Sequence, residues 1–196
     1  KFRNMIKNVY AVGFVLFIAN MLVFFGVYFF AYNTNYFNTS MLLNAFALPA
    51  LYTFAAYLSV NSLKKEKGIL GFKDAFGRAF KPMFIGGILS MASIFGFLNF
   101  IDTDAKDTLN FQFVERNKKE LTEIYQKQRS IMKTEKEKQD LDKDYQKSMQ
   151  SFSPEMVKDK DMFSFRQFTY YFAAVLVFYT ILSTFFGSFF RSRVEA

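Results

Sequence analysis

From Val9 to Ala31 the chain runs without a single Asp, Glu, Lys or Arg, and it does so again over Met41 to Leu63, Met83 to Ile101 and Phe168 to Phe190. At about 1.5 Å of rise per residue, each stretch as a helix covers or nearly covers the roughly 30 Å hydrocarbon core of a bilayer. A surface helix of a soluble protein needs a polar face, so four such stretches predict four transmembrane helices. The mean hydropathy of +0.07 is an average over two unlike materials, because the charges crowd into what lies between. A basic cluster ahead of an apolar run is also the layout of a secretory signal. Val9 to Ala31 is too long for a signal core and lacks a small-residue cleavage site, so a retained first span is expected.

The chain has neither Cys nor His, which removes thiolate nucleophiles, disulfides, His-ligated haem and conventional zinc sites. Nearly every carboxylate outside the spans has a Lys or Arg within four residues, as on solvated helix faces. Asp102 and Asp104 stand at the end of the third span, where helix capping accounts for them better than cation binding. No phosphate-binding Gly loop, Ser-based triad or nucleic-acid motif is present. The expectation is therefore a chain without catalytic, cofactor-binding or metal residues, not an enzyme, whose partners are the lipid bilayer and other proteins rather than nucleic acid.

Basic residues set the expected orientation. Lys1, Arg3, Lys7, Lys64, Lys65, Lys67, Lys73, Arg78, Lys81, Arg191 and Arg193 fall on one side of four spans, against only Glu66, Asp74 and Glu195, while residues 32–40 carry no basic residue. The positive-inside rule then places both ends in the cytoplasm and residues 102–163 outside it. Phe72, Phe76 and Phe80 recur opposite Lys73, Asp74, Arg78 and Lys81, which predicts a cytoplasmic interfacial amphipathic helix over 68–81, ended where Pro82 turns the chain into the third span. Pro49 predicts a bend in the second span. Three regions result: 1–101 with three spans, 102–163 as a charged helical segment, and 164–196 with the fourth span and a basic tail.

Small residues mark two faces. Gly86, Ser90 and Ser93 line one side of the third span, and Ala173, Thr180, Thr184 and Gly187 one side of the fourth; in lipid such faces let backbones approach, and these two are expected to pair. In the outer segment, Asp104 with Asp107 resembles a helix start, Thr134 with Glu137 a capping box, and Ser153-Pro154-Glu155 a third start. One helix from Ala105 to Gln150 would be about 68 Å long, too far for the remaining residues to return from, so a hairpin is expected. Leu121, Ile124 and Tyr125 on its first arm and Leu141, Tyr145 and Met149 on its second form a narrow apolar stripe that either zips the arms or meets a partner. At membrane depth the polar candidates are Asn20, Asn44, Asn61 and Asn99, with no Asp, Glu, Lys or Arg beside them.

Gly71-Phe72-Lys73-Asp74-Ala75-Phe76 leading into the third span, then Asn99-Phe100-Ile101-Asp102 before a long charged insert and a last span ending in basic residues, resembles a four-span inner-membrane family common in Bacteroidota and catalogued only as a domain of unknown function. Members often carry Pro shortly after the Asp, where this chain has Thr103. The resemblance implies an all-α protein of a bacterial inner membrane, with the hairpin in the periplasm, and no activity. Together these features predict a non-catalytic subunit that packs laterally in a larger membrane complex and contacts or braces a periplasmic partner through its hairpin. The alternative is a small transporter or channel-like protein.

Overall fold

Asn8 sets the start of the first span. Its side-chain carbonyl accepts the backbone N–H groups of Tyr10 and Ala11, which separates a short helix, α1 (Phe2–Lys7), from α2 (Val9–Ala31). The computed structural model describes residues 2–33, 35–157 and 161–192, and no strand occurs among them.

The second span is one 32-residue rod, Tyr36–Lys67, built from α3 (Tyr36–Leu42), a π-helical turn (Leu43–Ala47) and α4 (Leu48–Lys67). Pro49 has no N–H to give the carbonyl four residues earlier. The helix absorbs that loss by widening one turn, with the Leu48 N–H reaching back to the Leu43 carbonyl. Gly68, at φ +70°, ends the rod, since a side chain is rarely tolerated in that conformation.

The third span differs from expectation. Residues 72–81 are not a separate interfacial helix; they are the first turns of α5 (Phe72–Gly96), which passes through Pro82 unbroken and continues as a π-helical turn, Phe97–Ile101. The carbonyl that Pro82 leaves without its helical donor is that of Arg78, and Ser59 of the second span donates its hydroxyl to it at 3.0 Å. Arg78 reciprocates through Nε to the Ser59 carbonyl, 3.2 Å, and its Nη2 donates to the Ile6 and Lys7 carbonyls at the end of α1. The Phe stripe is also occupied: Phe72, Phe76, Phe80 and Phe84 stack in a ladder with centroid spacings of 5.8–6.0 Å, which ends on Phe172 of the fourth span. Ala75 and Ala79 are fully buried. That amphipathic face belongs to the bundle.

Outside the bundle come α6 (Thr103–Ile131), α7 (Glu135–Gln150) and the single turn α8 (Pro154–Val157), followed by the fourth span, α9 (Phe165–Phe190). The cap of α6 is Asp102, which accepts the Ala105 N–H, rather than Asp104. Thr134 and Glu137 form the reciprocal capping box at the start of α7. Past α9, Ser192 joins Leu70 through two hydrogen bonds of 2.9 and 3.0 Å and accepts the Lys64 ammonium, tying the exit of the fourth span to the connection between the second and third spans.

Span α5 is the hub, packed against α2, α4 and α9. Where α2 crosses it, the two backbones touch: a β-carbon on Gly86 would lie 2.9 Å from the Gly13 carbonyl, and one on Gly13 2.9 Å from Ile85. One core cluster fills the end of the bundle nearer the chain termini (Val60, Leu70, Met83, Phe186) and another the end nearer α6 (Val27, Tyr36, Leu98, Leu109). Phe29, Phe30, Phe185 and Phe189 point outward from the spans, as lipid-facing side chains do. The four helices are long and apolar enough to cross a membrane, and the chain is a multi-pass membrane protein on that basis.

Candidate functional site

Every span sends a polar group to one point in the middle of the bundle. Asn20 is central in α2 and only 5% exposed. Its Nδ2 donates to the Tyr52 hydroxyl of α4 at 2.5 Å and to Ser90 Oγ of α5 at 2.9 Å. Ser90 directs its one proton to the Gly86 carbonyl at 2.7 Å, so it meets Asn20 with a lone pair, which fixes the amide with its NH2 group on that side. The Tyr52 ring stacks on Tyr179 of α9, centroids 5.1 Å apart and planes 12° apart. Gly87 makes room for Tyr179, since a β-carbon there would meet its Cε2 at 2.9 Å. Asn20 Oδ1 has no hydrogen-bond partner among the described residues.

This cluster forms the floor of a cavity of about 500 Å³. The walls are apolar: Phe24 and Val27 of the first span, Leu48 and Pro49 of the second, Val175 and Phe178 of the fourth. The π-helical turn contributes Leu43 and Asn44 to the wall, so the register shift forced by Pro49 also shapes the space. The first half of α6 closes the far end with Leu109, beside Met162 and Phe163.

That closure is held by polar contacts. Asp161 accepts Asn110 Nδ2 at 2.9 Å and the Phe163 N–H at 2.8 Å, and pairs with Lys106 at 3.4 Å. Partial burial opposes its charge, but these donors outweigh burial and hold its carboxyl below the ordinary carboxylate range. Lys106 also reaches Asn99, whose Nδ2 donates to the Phe163 carbonyl. Gln112 clamps the first connection, accepting the Phe37 N–H and donating to the Asn33 carbonyl; Arg116 reaches Asn38. Asp102 accepts Tyr28 as well as capping α6, and these hydrogen bonds lower its pKa.

Beyond Arg116, α6 pairs with α7 as a helical hairpin. Its arms are joined by a clasp in which Tyr125 and Tyr145 stack at 4.1 Å, Tyr125 donates to Asp142 at 2.6 Å, Arg129 donates to the same oxygen at 3.1 Å, and Thr122 meets Tyr145 at 3.0 Å. The Tyr125 and Arg129 donors keep the Asp142 pKa below its usual value. Leu121, Leu141 and Met149 are half-buried and Ile124 is exposed, and no residue of α7 is buried. The arms are thus zipped by aromatic and polar contacts more than by an apolar stripe.

The expected packing faces fall out differently. Gly86 meets the first span, not the fourth, and Ser90 serves the polar cluster; Ser93 is half-buried. On α9, Ala173, Thr180 and Thr184 face outward, the two threonines donating to their own helix carbonyls at Leu176 and Thr180. Only Gly187 turns inward, against Phe72. The inner face of α9 is instead Tyr179, Ser183 and Phe186. Of the intramembrane asparagines, Asn20 and Asn44 line the cavity and Asn99 joins the closure. Tyr52, Tyr179, Gly13 and Gly87 were not evident as site residues in the sequence. Their signal would have been two tyrosines in mid-span on helices that also carry helix-breaking or small residues.

The profile of the family described as "Protein of unknown function (DUF4199)" matches residues 11–192. No curated protein and no solved structure matches the chain.

Proposed function

Since the chain belongs to the DUF4199 family, whose description supplies no activity, we propose from its own geometry that it is a non-catalytic integral membrane subunit. It packs laterally beside other membrane components and contacts or braces a partner through its hairpin. In this reading the basic faces lie in the cytoplasm, the membrane is a bacterial inner membrane, and the hairpin is periplasmic. The observation that carries it is the hairpin beyond Arg116: about 22 Å of helix, braced by its own clasp, with no buried residue on its second arm. A braced arm that leaves apolar side chains such as Ile124 and Ile131 exposed suits contact with another molecule.

The test is replacement of residues 120–148 by a short Gly/Ser linker in the native membrane. All four spans should still insert, and the proteins that co-purify in mild detergent with the intact chain should be lost. Unchanged co-purification would overturn the reading. A second reading, a small transporter or channel-like protein, is favoured by the cavity and its polar floor. It predicts solute uptake by proteoliposomes that survives the linker replacement and falls with Asn20→Leu.

A further inference from the structure

We propose that the cavity between the spans is a binding site for a neutral, membrane-soluble alcohol, held by its hydroxyl at Asn20. Four observations converge. The space, about 500 Å³, is of the size that small-molecule pockets have. The walls are almost wholly apolar, so the body of the ligand is hydrocarbon.

The floor specifies the head. Asn20 Oδ1 is a buried acceptor without a partner, and leaving such a group unpaired in a dry interior is costly. Tyr52 accepts from Asn20, and Tyr179 and Ser90 also stand within hydrogen-bonding reach of its hydroxyl. An unpaired acceptor calls for a donor, and a hydroxyl supplies one without bringing a charge. No Asp, Glu, Lys or Arg lines the cavity, so a carboxylate or ammonium head would lie there as an unpaired charge.

Depth excludes ordinary lipids. Asn20 is midway along Val9–Ala31, so the hydroxyl is bound near the bilayer midplane, where phospholipid head groups do not go. The ligand is a molecule dissolved in the hydrocarbon layer. A smaller cleft of about 190 Å³, lined by Met5, Val12, Leu16, Leu51, Phe54 and Leu58 among others, has no polar lining group and serves as an internal control.

The experiment uses the full chain in phospholipid nanodiscs with two photoprobes, hexadecan-1-ol carrying a mid-chain diazirine and the same hydrocarbon without the hydroxyl. Mass spectrometry should find the alcohol on cavity residues of the second and fourth spans, at about three- to tenfold the yield of the hydrocarbon, the factor one intramembrane hydrogen bond provides. In the apolar cleft the two probes should label equally. Asn20→Leu should erase the preference inside the cavity. Val175→Phe, which fills the space and leaves Asn20 untouched, should abolish cavity labelling by both probes while the cleft is still labelled; it also decides the matter if Asn20→Leu does not fold. Equal cavity labelling by both probes in the unaltered chain, or alcohol labelling only at lipid-facing positions such as Phe30 and Phe185, would sink the proposal. Replacing the hairpin should leave the labelling unchanged, so this result and the subunit reading stand or fall separately.

Discussion

Two glycines, each inside a span, have opposite duties. Gly86 abuts the Gly13 carbonyl, whereas nothing lies within 4 Å of where a β-carbon on Gly26 would be. Gly86→Ala should therefore force α2 and α5 apart and cost about 1–3 kcal/mol, the usual range for overpacking, while Gly26→Ala should be neutral or slightly stabilising. Unfolding temperatures in detergent check the contrast, and equal shifts would refute the close crossing. A second pair of residues tests the rescue of Pro82. Ser59→Ala leaves the Arg78 carbonyl without its donor and should destabilise by about 1–3 kcal/mol. Ser183→Ala, equally buried but with no partner for its hydroxyl among the described residues, should change little. These roles were hidden in the sequence because both are long-range: Gly13 and Gly86 meet only once two spans cross, and Ser59 serves a carbonyl nineteen residues on.

Among the helical elements, the spans were legible because each holds a long stretch free of charge, and the capping box at Thr134 because its partner is three residues away. Residues 68–81 misled because Pro82 reads locally as a helix start, and only the Ser59 hydroxyl reveals why the helix continues. The small-residue line on α9 misled for a similar reason: Thr180 and Thr184 satisfy themselves on their own backbone and are free to face outward. The hairpin offers a pH test. The pKa of Asp142 is depressed by Tyr125 and Arg129, and that of Glu137 by Thr134. A carboxylate whose pKa falls on folding contributes stability above its unfolded value of about 4 and loses it as pH drops through the folded value. Spin labels on cysteines at Gln128 and Gln139 should thus hold one distance at pH 7 and spread at pH 3. Asp142→Asn should show part of that spread already at pH 7.

At the scale of the whole molecule, orientation is the first thing to establish. Cysteines introduced into this Cys-free chain at Lys65, Lys73 and Lys138 should react differently with an impermeant thiol reagent on intact spheroplasts: only the one at position 138 should be labelled. Labelling at 65 or 73 would reverse the assignment and place the hairpin in the cytoplasm. The count of spans needed only composition, but the polar cluster required the rotational setting of all four helices at once, which a single chain's periodicity does not encode. Helix α6 has a mechanical consequence. It runs unbroken from Thr103 to Ile131, about 43 Å, with Leu109 over the cavity at one end, the Tyr125 clasp towards the other, and Gln112 and Arg116 pinned to the first connection between them. Because Lys106 and Asn110 hold that rod on one face and Gln112 and Arg116 on another, the direction in which the hairpin leaves the membrane is dictated at the cavity's rim and not at the clasp.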